Sequence, residues 1–158
     1  MKRGSTLFLK LALIVIGIPV LALCVAVGIW LVNHPVSPDY DHLIYPILVG
    51  TYGSIIPFYI ALYQAFKLLN YIDRNEAFSQ ISVFALNKIK YCAITFSALY
   101  VIILPFVYLV AEQDDAPGLI IIGMIPIFAS MVIAVFAAVL QRLLQEAINI
   151  KSENDLTV

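Results

Sequence analysis

No aspartate, glutamate, histidine or arginine lies at mid-depth in any of the four long apolar runs of this chain. Proton- and ion-coupled transporters place an ionisable group on their path. An intramembrane protease needs paired aspartates, a serine with a histidine, or zinc ligands at depth, and the runs supply none of these sets. A glycine-rich phosphate loop, HExxH, CxxC and GxSxG are missing as well. No catalytic residue and no cofactor is therefore assigned, and the chain reads as a non-enzyme. Cysteine is scarce, with only Cys24 near one end of the first run and Cys92 at the opposite end of the third. Bridged cysteines need Cα atoms within about 7 Å, so these two read as separate small fillers. Charge is scarce too: 12% of residues are charged against 63% hydrophobic, far outside the globular range.

What is present is apolar length. The runs are 7–32, 43–69, 91–110 and 119–144, each at least the ~20 residues that cross a hydrocarbon core of about 30 Å. The expected fold is all-α: a polytopic membrane protein with four transmembrane helices in an up-down-up-down bundle, since short links make sequential helices antiparallel neighbours. The whole chain forms one membrane domain with a tail at 145–158. The first run follows Lys2 and Arg3 as a signal peptide would, but its apolar stretch is too long and lacks a small-x-small exit. Leu23 is too bulky for the lipoprotein pattern that Leu21-Ala22-Leu23-Cys24 imitates. The run is expected to stay as a helix.

The charges alternate from connection to connection. Lys2, Arg3 and Lys10, then Lys67, Arg74, Lys88 and Lys90, then Arg142 and Lys151 occupy the two termini and the middle connection. The remaining connections hold no cation and half of the ten carboxylates. Short loops rich in Lys and Arg stay in the cytoplasm, so both termini are expected inside. The basic side suits anionic headgroups or an acidic protein partner. Its few cations, spread over three segments, do not make a nucleic-acid surface.

The middle connection is the largest. Asp73-Arg74-Asn75-Glu76 has capping-box spacing, so a cytoplasmic interfacial helix is expected over about 74–90, between helices two and three. On a helical wheel Ala77, Phe78, Ile81, Phe84, Ala85 and Ile89 share an arc that Lys88 interrupts, while Val83 and Leu86 spoil the opposing polar arc. Asp73, Phe78, Ile81, Phe84, Ala85 and Lys88 are the candidate partner-binding residues. Each run carries one interior proline (Pro19, Pro57, Pro105, Pro126), and Pro46 is placed in the first turn of helix two. Small residues four apart (Ala22/Ala26, Gly50/Ser54, Ala61/Ala65, Ala93/Ser97, Ala134/Ala138) allow close helix approach within one chain or between copies of a homo-oligomer.

On the acidic side His34, Asp39, Asp41, His42, Glu112, Asp114 and Asp115 are chemically competent ligands for a divalent metal. Their spacing matches no established metal motif, so they read first as a solvated anionic rim and no metal is assigned.

Several segments together carry a resemblance: Tyr63-Gln64-Ala65-Phe66-Lys67-Leu68-Leu69, Ile72-Asp73 with Ala77-Phe78-Ser79, Ile89-Lys90-Tyr91-Cys92-Ala93, and the terminal Glu153-Asn154-Asp155-Leu156-Thr157-Val158. The chain resembles the bacterial family of domain of unknown function two-nine-seven-five, small four-helix membrane proteins. Members are often encoded beside a small Cro/C1-type helix-turn-helix regulator, which implies a membrane partner for a transcription factor. The family has no established catalytic or ligand residue to carry over. Expectation therefore favours a regulatory or sensory membrane partner of a cytoplasmic protein. The alternative is a small transporter, channel or immunity-type protein for an uncharged or amphipathic compound.

Overall fold

The computed structural model describes residues 2–157, and the side chains of residues 4–156. Among the cations, the side chains of Lys2 and Arg3 thus fall outside the described residues. Four helices follow one another: α1 (Lys2–Asn33), α2 (Asp41–Asp73), α3 (Gln80–Gln113) and α4 (Gly118–Thr157). Among the described residues there is no strand. All four are long and apolar enough to cross a membrane. With 32, 33, 34 and 40 residues, they measure about 48–60 Å at 1.5 Å per residue. That exceeds the ~30 Å hydrocarbon thickness, so each helix continues past it.

Paired residues set the packing. Thr6 meets Asp73, Gly17 meets Tyr59 and Cys24 meets Tyr52, so α1 and α2 run antiparallel. Ser54 reaches Tyr100 and Phe58 packs on Phe96, which sets α3 antiparallel to α2. Gly123 lies against Leu104 and Val107 on α3. The helices are not a closed bundle: among the described residues α1 packs on α2 alone, and α4 packs chiefly on α3. A cleft of about 240 Å³ separates α4 from α2 over the middle of α3, walled by Phe58, Phe96 and Ile133 and by both Pro57 and Pro126.

The interfaces are made of small side chains. Ser54, Ser82, Ser97 and Ser130 are buried with Ala85, Ala93, Ala111, Ala134 and Ala137, whereas most large aliphatic side chains face outward. Lipid tails are as apolar as leucine, so burying large side chains gains little in a membrane and close backbone approach decides packing. The hydroxyls of Ser54, Ser82 and Ser130 return to backbone carbonyls, as in Ser54 to Thr51 at 2.6 Å and Ser130 to Pro126 at 2.7 Å. Gly50/Ser54, Ala93/Ser97 and Ala134/Ala138 lie at or beside these contacts, but Ala22 and Ala26 are exposed.

The expected interfacial helix does not stand apart. Residues 80–90 are the first turns of α3 and continue without a break into the third run. Nor do Asp73 and Glu76 form a capping box, because they close α2 instead of opening a helix. Asn75 adopts the left-handed region at φ 60°. Its N–H bonds the Ile72 carbonyl at 3.2 Å and the Glu76 N–H bonds Tyr71 at 2.8 Å, the two bonds of a Schellman cap. Asp115, at φ 52°, ends α3 by the same pattern, with Ala116 N–H on Ala111 at 2.9 Å and Asp115 N–H on Glu112 at 3.4 Å. Pro46 sits one turn deeper than expected, because α2 already begins at Asp41.

The caps carry a prediction. A side chain other than Asn, Asp or Gly in this conformation costs about 1–2 kcal/mol. Asn75→Val and Asp115→Val should each lose about that much in thermal unfolding from mild detergent, while glycine at either position should be neutral or slightly stabilising.

Candidate functional site at the cation-bearing end

One end of the helices holds every described cation. Carrying the α1–α2 and α2–α3 registers along the helices puts Lys10 beside Lys67 and Lys67 beside Lys88. Arg142 falls within about a turn of them. Aromatic rings accompany the lysines: Lys10 lies 5.4 Å from the Phe66 centroid, Lys67 4.9 Å from Tyr63, Lys88 4.7 Å from Phe84 and Lys90 4.9 Å from Tyr91. Long cationic stems with aromatic neighbours are the side chains that suit a membrane–water boundary.

Beyond that level the first turns of α3 divide sharply. Ser82, Val83, Ala85 and Leu86 are buried, with Ser82 wholly inaccessible. The Ser79 and Ser82 hydroxyls both donate to the Glu76 carbonyl, at 2.5 and 3.2 Å, and hold the turn 74–79 against the helix. Phe78, Ile81 and Phe84 are 59, 52 and 59% exposed. Of the six candidate residues, these three and Lys88 share the accessible surface. Ala85 is buried at 2% exposure and cannot meet a partner. Asp73 turns towards α1: its carboxylate accepts from the Thr6 hydroxyl and pairs with Lys10 at 2.8 Å. Sequence reasoning missed Thr6, whose hydroxyl gave no pattern to single it out.

The opposite end is acidic. The Tyr40 hydroxyl donates to Asp114 at 2.8 Å and ties connection 34–40 to connection 114–117. The Asp114 carboxylate, by accepting this bond, raises the Tyr40 phenol above its ordinary pKa. His34 stacks on Trp30 with centroids 5.2 Å apart. Asp39, His42 and Glu112 are exposed and Asp41 sits in the first turn of α2, while Asp115 is occupied as the left-handed residue of its cap. Among the described residues no three His, Cys, Asp or Glu side chains converge as a metal would require. Cys24 and Cys92 are free thiols.

Four helices of spanning length, small-residue interfaces and one cationic end define an all-helical, polytopic membrane protein. The chain belongs to the family described as "Protein of unknown function (DUF2975)", which matches residues 30–158. It is also similar to the "Uncharacterized membrane protein YoaS" of Bacillus subtilis (strain 168), with 59% identity over 160 residues and all of both chains covered. No solved structure matches the chain.

Proposed function

We propose that the chain is a non-enzymatic regulatory membrane protein of the bacterial cytoplasmic membrane, with both termini inside, whose cationic end docks a cytoplasmic protein. One observation carries this reading: Phe78 and Ile81 are exposed past the level of the lysines, with Phe84 exposed beside Lys88. Ile81 precedes Lys88 by seven residues, about 10 Å along a helix, so it stands in the aqueous layer. Large apolar side chains grouped there mark an interaction surface. Lys88 at its edge suits an acidic rim on the partner. A small helix-turn-helix regulator, as the family resemblance implies, is the candidate occupant.

Photocrosslinking residues placed at Phe78, Ile81 and Phe84 in the full chain should capture one discrete cytosolic protein. Phe128, exposed on α4 among membrane-spanning residues, is the control and should capture none. Deleting the gene should change transcription of that regulator's targets. No capture at any of the three positions, with transcription unchanged on deletion, would sink the reading.

A further inference from the structure

Among the described residues α1 has one neighbour, α2, and polar groups hold it there. The hydroxyl of Tyr59 donates to the Gly17 carbonyl at 2.7 Å and that of Tyr52 to Cys24 at 2.9 Å. At the cationic end Asp73 accepts from Thr6, itself only 3% exposed, and from Lys10 at 2.8 Å. Lys10 also lies over Phe66 on α2. Both partners of the ion pair are mostly covered, at 19 and 22% side-chain exposure. Separating them would leave a partly desolvated charge on each side, a costly state. Asp73 is also the last residue of α2. The next residues form the cap that aims the turn 74–79, which carries Phe78 and leads into Ile81.

We propose that the Thr6–Lys10–Asp73 contact is a clasp through which the position of α1 sets the position of the α2–α3 turn. This assignment rests on the docking reading only for its biological use: the clasp would regulate presentation of Phe78 and Ile81. Its mechanical part stands alone. α1 leans on no third helix among the described residues, so a shift of its end acts first on Asp73 and then on the turn one residue later. Coupling of this kind needs no charge in the membrane interior, where the sequence has none.

The test uses the full chain in nanodiscs, with Cys24→Ser and Cys92→Ser, and spin-label distance measurements. One label pair, Leu9→Cys with Arg74→Cys, reads the clasp. A second, Phe78→Cys with Glu146→Cys, reads the turn, and Val27→Cys with Val49→Cys at the far end is the control. Lys10→Gln should lengthen and broaden the first two distributions and leave the third unchanged. The reversed pair Lys10→Asp with Asp73→Lys should restore both distributions substantially. Unchanged distances in Lys10→Gln, a clasp distance that shifts while the turn distance does not, or failure of the reversed pair to restore overturns the proposal. Photocrosslinking at Ile81 is scored separately. Absence of capture in the wild type removes the docking reading and leaves the distance result to decide the clasp.

Discussion

Gly50→Ala should destabilise the protein although alanine is the better helix former. A Cβ at Gly50 would stand 2.5 Å from Ile103 Cδ1 and 2.6 Å from Cγ1, and Ile103 is itself only 4% exposed. Overpacking of this kind costs about 1–3 kcal/mol, more than the 0.5–1 kcal/mol that replacing a helical glycine returns. Gly53 is the internal control. It lies three residues further along α2, and its added Cβ would meet nothing within 4 Å. Gly53→Ala makes the same propensity change without the collision and should be neutral or stabilising. The difference between the two alanine variants in thermal unfolding thus reads the α2–α3 contact itself. Gly50→Leu should lose considerably more and part the two helices. Ile103→Ala alone should also destabilise, through the packing it removes, yet combined with Gly50→Ala it should cost less than the separate losses added together. Strict additivity would mean that the two residues do not touch.

That pair shows which parts of the structure can be read from the sequence. Length and hydropathy reveal the four helices, because the lipid requirement acts on each run alone. Small-residue spacing marks Gly50/Ser54 and Ala93/Ser97, which prove to be contact positions, and marks Ala22/Ala26 equally, which are exposed. The spacing says that a face can be approached; only a neighbour decides whether it is. The same limit governs the cationic end. Phe84 and Ile81 belong to the more continuous apolar arc, and Val83 and Leu86 look like defects of the opposing polar arc, yet the second pair is buried and the first exposed. α2 and α4 cover the side of α3 where serine and alanine permit close approach, and the aromatic side is left over.

The capping box expected at Asp73 fails for a different reason, because Asp73 ends α2. An acidic residue three places before a glutamate has the same spacing whether it opens a helix or closes one. The deciding residue is Asn75, which tolerates the left-handed conformation that a Schellman cap requires. The side-chain partners of Asp73, Thr6 and Lys10, lie 67 and 63 positions away in the chain. No local pattern reports such a contact.

Sidedness should give an all-or-none result. Antiparallel neighbours place connections 34–40 and 114–117 at one end, where Tyr40 meets Asp114, and the cations at the other. In a background of Cys24→Ser and Cys92→Ser, Ser37→Cys should react with an impermeant maleimide on intact cells. Gln80→Cys and Ser152→Cys should react only after permeabilisation. Inverting the chain would move its cations against an inside-negative potential, at about 2.3 kcal/mol per charge per 100 mV. The acidic rim should matter far less than its charge suggests, because orientation follows Lys and Arg, and Asp and Glu contribute little. Asp39→Asn with Glu112→Gln should therefore leave the labelling pattern intact. Asp39→Lys with Glu112→Lys, joined to Lys67→Gln, Lys88→Gln and Lys90→Gln, should produce a mixed population in which Ser37→Cys and Gln80→Cys both label partially. If the neutral carboxylate variants alone scramble the pattern, the rim has a role in orientation that cation counting does not explain. If Gln80→Cys labels on intact cells in the otherwise unaltered chain, the cationic end faces outward and Phe78 and Ile81 cannot meet a cytoplasmic regulator.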